Sequence, residues 1–298
     1  RSGTAVAEGQ PPSTSQLRGI AFMVSSGAIF AFTDALAKVL VSDIPPGQLL
    51  SLRTIFVLIS IIVMVQWHGG LGSIRIVNWK GQLLRGLLMT GTSLTFLLAL
   101  KDAPLADLFA LLFVSPLILT VLAPYFLGET VGWRRRAAVA VGFCGTLLIV
   151  KPTGEVPFTA LMIGLSVPFI LSFSDIVTRR LAATETANGM MLFSNFVMAG
   201  VGIALLPLGW APLDWYSLSL LAAMGTLQGV AQYLLIYAFI HGETVVITPF
   251  RYLMLVWVTI YGYLMFGDIP RLETVAGAAI VVGAGLYIFH REAKHGRA

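Results

Sequence analysis

Two nine-residue stretches decide the fold of this chain, FTDALAKVL at residues 32–40 and FSDIVTRRL at residues 173–181. Both contain phenylalanine, a hydroxyl residue, aspartate, three further residues, a basic residue, one residue and leucine, and the copies lie 141 positions apart. A second match, FLGE at 126–129 and MFGD at 265–268, has an offset of 139 positions. Two matches at nearly the same offset indicate that the chain consists of two related halves.

The composition places both halves in lipid. Hydrophobic residues make up 57% of the 298 positions and charged residues only 11%, against about 25% charged residues in soluble domains. The net charge of +5 does not indicate nucleic-acid binding, because the basic residues lie between apolar segments and not on one face. The single cysteine, Cys144, excludes an intramolecular disulfide and a cysteine-based metal cluster.

Ten apolar segments are candidates for membrane spans, each of which needs about 20 mostly apolar residues. They are 17–40, 46–67, 80–100, 104–127, 133–150, 158–181, 187–208, 215–240, 244–266 and 273–290. Because each half has an odd number of spans, the two halves must insert with opposite orientations. The predicted fold is an all-α integral membrane protein with ten transmembrane helices in a 5+5 inverted-topology repeat, an arrangement common among secondary transporters.

The two halves are predicted at residues 17–150 and 158–290, between a disordered cytoplasmic tail at 1–16 and a second cytoplasmic tail at 291–298. The basic residues predict the orientation. With the N-terminus inside, 13 of the 19 lysines and arginines lie in inner segments, three in outer segments and three within spans. Because cytoplasmic loops carry the excess of Lys and Arg, both termini are predicted to be cytoplasmic.

Charged side chains inside the spans are candidates for function, because they are costly in lipid. Asp34 and Lys38 lie on one face of span 1, and Arg53 lies in span 2 at the depth of Asp34. Asp175 in span 6 and Arg251 in span 9 form the corresponding pair near the other side. The pairs either act as gates that close alternately or are permanent ion pairs that neutralise buried charge. Lys38 either joins them or extends its amine to the interface.

Polar and aromatic side chains near the middle of the spans are candidates for substrate binding. Gln228 and Gln232 in span 8 either bond neighbouring helices or face a wet cavity and bind a ligand. The other candidates are Thr92, Ser93, Phe96, Phe113, Ser115, Tyr233, Tyr252 and Trp257. Rings, hydroxyls and amides with few fixed charges suit a neutral zwitterion, whose ammonium aromatic rings attract. Gly225 and Gly229 form a GxxxG motif, which predicts a close helix contact beside this face.

Other functional classes lack their sequence signatures. The chain has no HExxH, P-loop, cysteine-pair or GxSxG motif, and its four histidines fall at span ends or in the tails. We therefore expect no enzyme activity, no resident metal and no cofactor. A passive channel normally needs a selectivity element or subunit symmetry, so the internal repeat favours a carrier.

The ten-span repeat, the endings LGE at 127–129 and FGD at 266–268, and the glycine-rich spans 5 and 10 resemble the drug/metabolite transporter superfamily of the EamA type. The resemblance covers about residues 17–290, and the chain looks most like the YddG-type exporters of aromatic and other neutral amino acids. It implies a multi-pass carrier of the bacterial inner membrane, with a central cavity lined by spans 1, 3, 4, 6, 8 and 9. It also implies alternating access by rocking of the two halves.

The substrate implied by this resemblance is a neutral amino acid of the Phe, Trp, Met or Thr class. Related branches carry other metabolites, so S-adenosylmethionine, riboflavin or a drug-like cation is the alternative cargo, and a channel is a more distant alternative. Proton coupling and the direction of net flux stay open. The expected partners are a small-molecule substrate and the lipid bilayer, without nucleic acid, and a monomer is a sufficient unit.

Overall fold

The computed structural model describes residues 14–67, 70, 72, 74–127, 133–150, 156–241 and 247–295. Some predicted features lie outside these residues. They are most of the N-terminal tail (1–13), Gly128 and Glu129 of the span 4 ending, the predicted start of span 9 at 244–246, and the last three residues of the C-terminal tail.

The described residues fold into α-helices that follow the predicted spans closely. These are α1 (Thr14–Leu40), α2 (Pro46–Trp67), α3 (Trp79–Leu100), α4 (Leu105–Leu112), α5 (Ser115–Leu127), α6 (Trp133–Val150), α7 (Phe158–Leu181), α8 (Ala187–Ala204), α9 (Trp215–His241), α10 (Met254–Phe266) and α11 (Leu272–His295). Short 3₁₀ helices cover Leu206–Leu208 and Thr248–Leu253. α1 begins three residues before the predicted span, and α11 continues past the predicted end at residue 290.

Within the described residues, seven helical segments are long and apolar enough to cross a membrane. Three shorter apolar helices, Arg136–Ile149, Phe250–Phe266 and Leu272–Tyr287, lie at the predicted spans 5, 9 and 10. The outside of the bundle is apolar as well, and Leu147 and Leu264 are each 71% exposed. A surface on which large apolar side chains point outward from several helices suits contact with lipid.

A proline interrupts the helix of span 4. α4 ends at Leu112, Phe113 and Val114 form a turn, and α5 begins at Ser115. Pro116 has no N–H to donate to the carbonyl of Leu112, so the helical hydrogen-bond ladder cannot pass through this point. Pro116 is tolerated in the first turn of a new helix, where an N–H would lack a helical partner anyway.

Two helix pairs join the first half of the chain to the second. α1 packs on α9, where the Ser26 hydroxyl donates to the Ala231 carbonyl at 2.8 Å. α3 packs on α7, where Arg85 Nε donates to the Thr178 hydroxyl at 2.8 Å. In the predicted repeat, α1 corresponds to α7 and α3 to α9, so the α1–α9 pair and the α3–α7 pair are equivalent to each other.

Glycines allow the closest helix contacts. The predicted contact of the GxxxG motif is present, because a Cβ at Gly225 would collide with the Arg53 carbonyl oxygen of α2. A Cβ at Gly229 would lie 2.6 Å from Ser60 Cβ, also in α2. Gly145 of α6 and Gly277 of α11 meet in the same way, each within 2.8 Å of the other's carbonyl oxygen once a Cβ is added. These contacts bring the helix backbones close together.

The Gly225→Ala variant should be less stable than the wild type. Its methyl group would meet backbone atoms of α2, so α9 must shift away, at an expected cost of about 1–3 kcal/mol. Thermal unfolding of the purified protein in detergent measures the effect. Gly200→Ala is the control, since an added Cβ there has no neighbour within 4 Å. Equal unfolding temperatures for the two variants would contradict the close contact.

Candidate functional site

A cavity of about 410 Å³ lies in the middle of the bundle. Its wall comes from α1, α3, α7 and α9, from the α4–α5 break and from the 3₁₀ helix and α10, and α2 adds Arg53. Apart from Arg53, these elements belong to spans 1, 3, 4, 6, 8 and 9, the set implied by the family resemblance. We call this space the central cavity, and its volume suits a small organic molecule.

A second chamber of about 360 Å³ adjoins the central cavity, between α2, α3, α8 and α9. The residues that line both spaces are Phe30, Arg53, Ser93, Gln228 and Leu235. These five residues form the junction between the two spaces. The second chamber extends toward the start of α8, where Ala187 and Met190 line it.

The structure brings most of the predicted substrate residues to these two spaces. Those at the central cavity are Thr92, Ser93, Phe96, Phe113, Ser115, Gln228 and Tyr252. Gln232 lines the second chamber. Tyr233 and Trp257 line neither, because Tyr233 packs on Tyr237 with ring centroids 5.1 Å apart and Trp257 stacks on Tyr261 at 6.3 Å.

Some hydroxyls at the cavity wall are already engaged by the protein. The Thr92 hydroxyl donates to the Leu88 carbonyl at 2.9 Å, within its own helix. Ser115 and Ser172 hydroxyls lie 3.0 Å apart, and the Ser172 hydroxyl also contacts the Pro168 carbonyl at 2.6 Å. These groups join α5 to α7 and hold the wall in place.

Aromatic rings form the apolar part of the central cavity. Phe113 and Tyr252 lie with centroids 4.9 Å apart, and Phe96 meets Phe109 edge to face at 5.6 Å. The Phe113–Tyr252 contact brings the α4–α5 break to the 3₁₀ helix before α10. Aromatic rings that line a cavity can stack on a flat ligand or attract a cation.

Both predicted acid–base pairs face the central cavity. The positive charge of Arg53 attracts the carboxylate of Asp34. The carboxylate of Asp175 is attracted by three guanidinium groups, those of Arg251, Arg179 and Arg85. Within the described part of the chain, neither Asp34–Arg53 nor Asp175–Arg251 forms a direct ion pair. All four side chains line the cavity, so water or a ligand can bridge the members of each pair.

Lys38 has a partner that the sequence did not single out. Its amine lies 2.7 Å from Asp268 Oδ2 and 4.7 Å from the centre of the Phe266 ring. The pair joins the end of α1 to the residues after α10, where Gly267 ends the helix with a positive φ of 70°.

Arg85 is a cavity residue that the sequence analysis missed, because it was counted among the inner basic residues. Its Nη1 donates to the Met190 carbonyl at 2.8 Å and to the Ser194 hydroxyl, so that it joins α3 to α8. Arg85 also lines the second chamber. The available signal was its position in the second turn of span 3, deeper than a loop residue.

Polar contacts hold the two ends of the bundle. At the end where α4 and α11 begin, buried Asp107 accepts from Arg271 at 2.8 Å and from the Thr274 hydroxyl at 2.6 Å. Gln48 exchanges two hydrogen bonds with the backbone of Ala211 at the same end. These contacts join the first half of the chain to the second.

Glu185 joins the two halves at the opposite end of the bundle, where α3 and α8 begin. We call this end the basic end, because Arg75, Lys80, Arg179 and Arg180 lie there in the sequence. Its carboxylate accepts from the backbone N–H of Asn78 at 2.7 Å and of Val77 at 3.0 Å. Partial burial raises the pKa of Glu185, but these hydrogen bonds, together with Gln82 and Arg75, outweigh it and hold the pKa below its ordinary value. The charged carboxylate thus fastens the α7–α8 turn to the segment before α3.

Comparison with known proteins identifies the family. Residues 17–151 match the EamA-like transporter family. Relatives that align with more than nine tenths of the chain are named as transporters. The chain is an EamA-type member of the drug/metabolite transporter superfamily. It is therefore a multi-pass membrane protein.

Relatives of this EamA-type transporter are named for different cargoes. The S-adenosylmethionine uptake transporter of Rickettsia felis is 26% identical over 278 residues, covering 93% of this chain and 94% of that protein. The riboflavin transporter of Rhizobium johnstonii is 31% identical over 201 residues, 66% of each chain. The pseudopaline exporter CntI of Pseudomonas aeruginosa is 24% identical over 271 residues, 89% of this chain and 94% of that protein.

One crystal structure aligns with 95% of the transporter and with 100% of its own chain. The TM-score is 0.65 and the sequence identity is 18%, so the two proteins share a fold. The names of the relatives above support the alternative cargoes better than the predicted amino-acid exporter, and they do not support a single direction of transport.

Acidification should weaken the Glu185 contact. A group whose pKa is lowered on folding stabilises the protein above its ordinary value of 4.5, and this contribution is lost as the pH falls through the lower folded-state value. We expect Glu185→Gln to unfold at a lower temperature than the wild type at pH 7, with a difference that shrinks below pH 4.5. Asp43→Asn, in the exposed α1–α2 turn, is the control. A difference that grows toward acid pH would contradict the sign.

Proposed function

We propose that this transporter is a secondary carrier for a zwitterion with a cationic, aromatic head group, of which S-adenosylmethionine is the type. The observation that carries the proposal is the lining of the central cavity, in which two acids, Asp34 and Asp175, and two arginines, Arg53 and Arg251, occur together with aromatic rings. S-adenosylmethionine carries an ammonium, a sulfonium, a carboxylate and a flat adenine. Each of these groups has a matching partner type in the wall.

The charges discriminate between the candidate cargoes. An uncharged molecule such as riboflavin would offer no charge to the two acids and two arginines of the cavity, so it would not compensate for the water that it displaces from them. A neutral amino acid would pair with one acid and one arginine but would leave much of a cavity of about 410 Å³ unfilled. The full-length similarity to the S-adenosylmethionine uptake transporter of Rickettsia felis favours the same cargo class. Neutral amino acids are the second candidate, because they share the zwitterionic group.

The proposed mechanism is alternating access in a ten-span, 5+5 inverted repeat of the inner membrane. The equivalent α1–α9 and α3–α7 pairs support the repeat. The excess of Lys and Arg at the basic end supports a cytoplasmic location for that end and for both termini. In this mechanism the Asp34–Arg53 and Asp175–Arg251 pairs are gates that tighten alternately as the halves rock around the substrate.

Counterflow in proteoliposomes tests the cargo. Vesicles are loaded with unlabelled S-adenosylmethionine, riboflavin, or Phe, Trp, Met or Thr, and entry of the labelled compound is followed with and without a pH gradient. We expect saturable exchange of S-adenosylmethionine and slower exchange of the amino acids. Faster exchange of an amino acid than of S-adenosylmethionine would favour the second candidate, and dependence on the pH gradient would establish proton coupling.

Replacing Asp34 with asparagine tests the gate. Hydrogen bonds to charged groups are worth about 1.5–3 kcal/mol, so a lost gating charge should slow exchange about tenfold or more while the unfolding temperature stays near that of the wild type. Asp102→Asn, exposed in the α3–α4 turn, is the matched control. A lower unfolding temperature with unchanged exchange per folded molecule would identify a permanent structural pair instead.

A further inference from the structure

The second chamber has a distinct chemistry from the central cavity. Among the described residues that line it, none is acidic, whereas Arg53 lies at its junction with the central cavity and Arg85 lies nearer the basic end. Asp175, the acid that acts on Arg85, lines the central cavity and not this chamber. A partly buried guanidinium without an acid in its own chamber is suited to bind an anion.

Arg85 is held rigidly at this site. Its Nε donates to the Thr178 hydroxyl at 2.8 Å, and its Nη1 donates to the Met190 carbonyl at 2.8 Å and to the Ser194 hydroxyl. Within the described residues these bonds leave Nη2 without a protein acceptor. A guanidinium fixed in this way loses little further conformational freedom when it binds a carboxylate.

A neighbouring amide adds a second donor. Asn195 Nδ2 donates to the Met191 carbonyl at 2.9 Å and to Gln232 Oε1 at 3.3 Å. With its oxygen engaged, Gln232 can offer its Nε2 to the chamber. Ser194 binds Arg85 and its neighbour Asn195 binds Gln232, so one turn of α8 positions both Arg85 and Gln232.

The apolar part of the chamber suits a flexible chain. Its lining includes four methionines, Met89, Met190, Met191 and Met198. Thioether side chains are flexible and polarisable and fit their shape to a ligand. At the junction with the central cavity, Gln228 Oε1 is buried and, among the described residues, accepts no hydrogen bond, so it is an acceptor for a ligand N–H.

We propose that the second chamber is the subsite for the substrate's carboxylate, with Arg85 as the binding residue and Gln232 beside it. The carboxylate-bearing chain of the substrate lies among the methionines, its ammonium reaches Gln228 at the junction, and its aromatic head occupies the central cavity. The inference rests on the function proposed above. It makes Arg85 the residue by which the carrier distinguishes a carboxylate from its neutral or missing counterpart.

Two ligand pairs that differ only at the carboxylate test this subsite. They are S-adenosylmethionine with its decarboxylated form, and methionine with methionine amide, each used as a competitor or exchanged ligand in the counterflow assay. We expect the wild type to prefer the carboxylate form by about tenfold or more, as one charged hydrogen bond allows. Arg85→Gln should raise the KM of the carboxylate form to that of the ligand without a carboxylate. Arg85→Lys should keep part of the preference for the carboxylate form.

The control is Lys80→Gln, which removes a positive charge from the exposed first turn of the same helix and should leave the preference unchanged. A purely structural role of Arg85 would raise the KM of both members of a pair equally, and that result would overturn the proposal. So would a wild type that shows no preference in either pair. An Arg85-dependent preference for methionine without exchange of S-adenosylmethionine would keep the subsite and reject the proposed cargo.

Discussion

Charged groups inside an apolar bundle are the constraint on which this structure depends. Exposed leucines such as Leu147 and Leu264 face outward, and lipid offers no solvation to a charge placed among them. The interior charges accordingly meet other charges or polar groups. Lys38 binds Asp268, and Asp107 binds Arg271. Asp107 is buried, so removing Arg271 would leave its charge uncompensated, which costs more than the pair itself contributes.

The charges at the central cavity differ from these direct pairs in one respect. Asp34 and Arg53 act on each other without direct contact, and the same holds for Asp175 and Arg251. Charges of both signs at one cavity attract a ligand that carries both signs. In the proposed mechanism they also close on each other once the ligand has left, so that binding and gating use the same four side chains.

Close helix contacts and one helix break give the cavity its shape. Gly225 and Gly229 let α9 lie against α2, which brings Arg53 and Gln228 to one wall. The break before Pro116 interrupts α4 and α5 beside the cavity and places Phe113 against Tyr252. The contacts at the two ends, through Gln48 and Glu185, connect the same α2–α8 side of the bundle.

The sequence by itself determined the membrane location, the helix positions to within a few residues, the GxxxG contact and most of the cavity residues, because span length and apolar composition are local properties. It did not determine that Lys38 binds Asp268, since a partner 230 residues away is chosen by how α1 and α10 pack. Nor did it place Tyr233 and Trp257 outside the cavity, because helix rotation depends on neighbouring helices. Only the tertiary structure turned Arg85 inward, where α7 and α8 supply its hydrogen-bond partners.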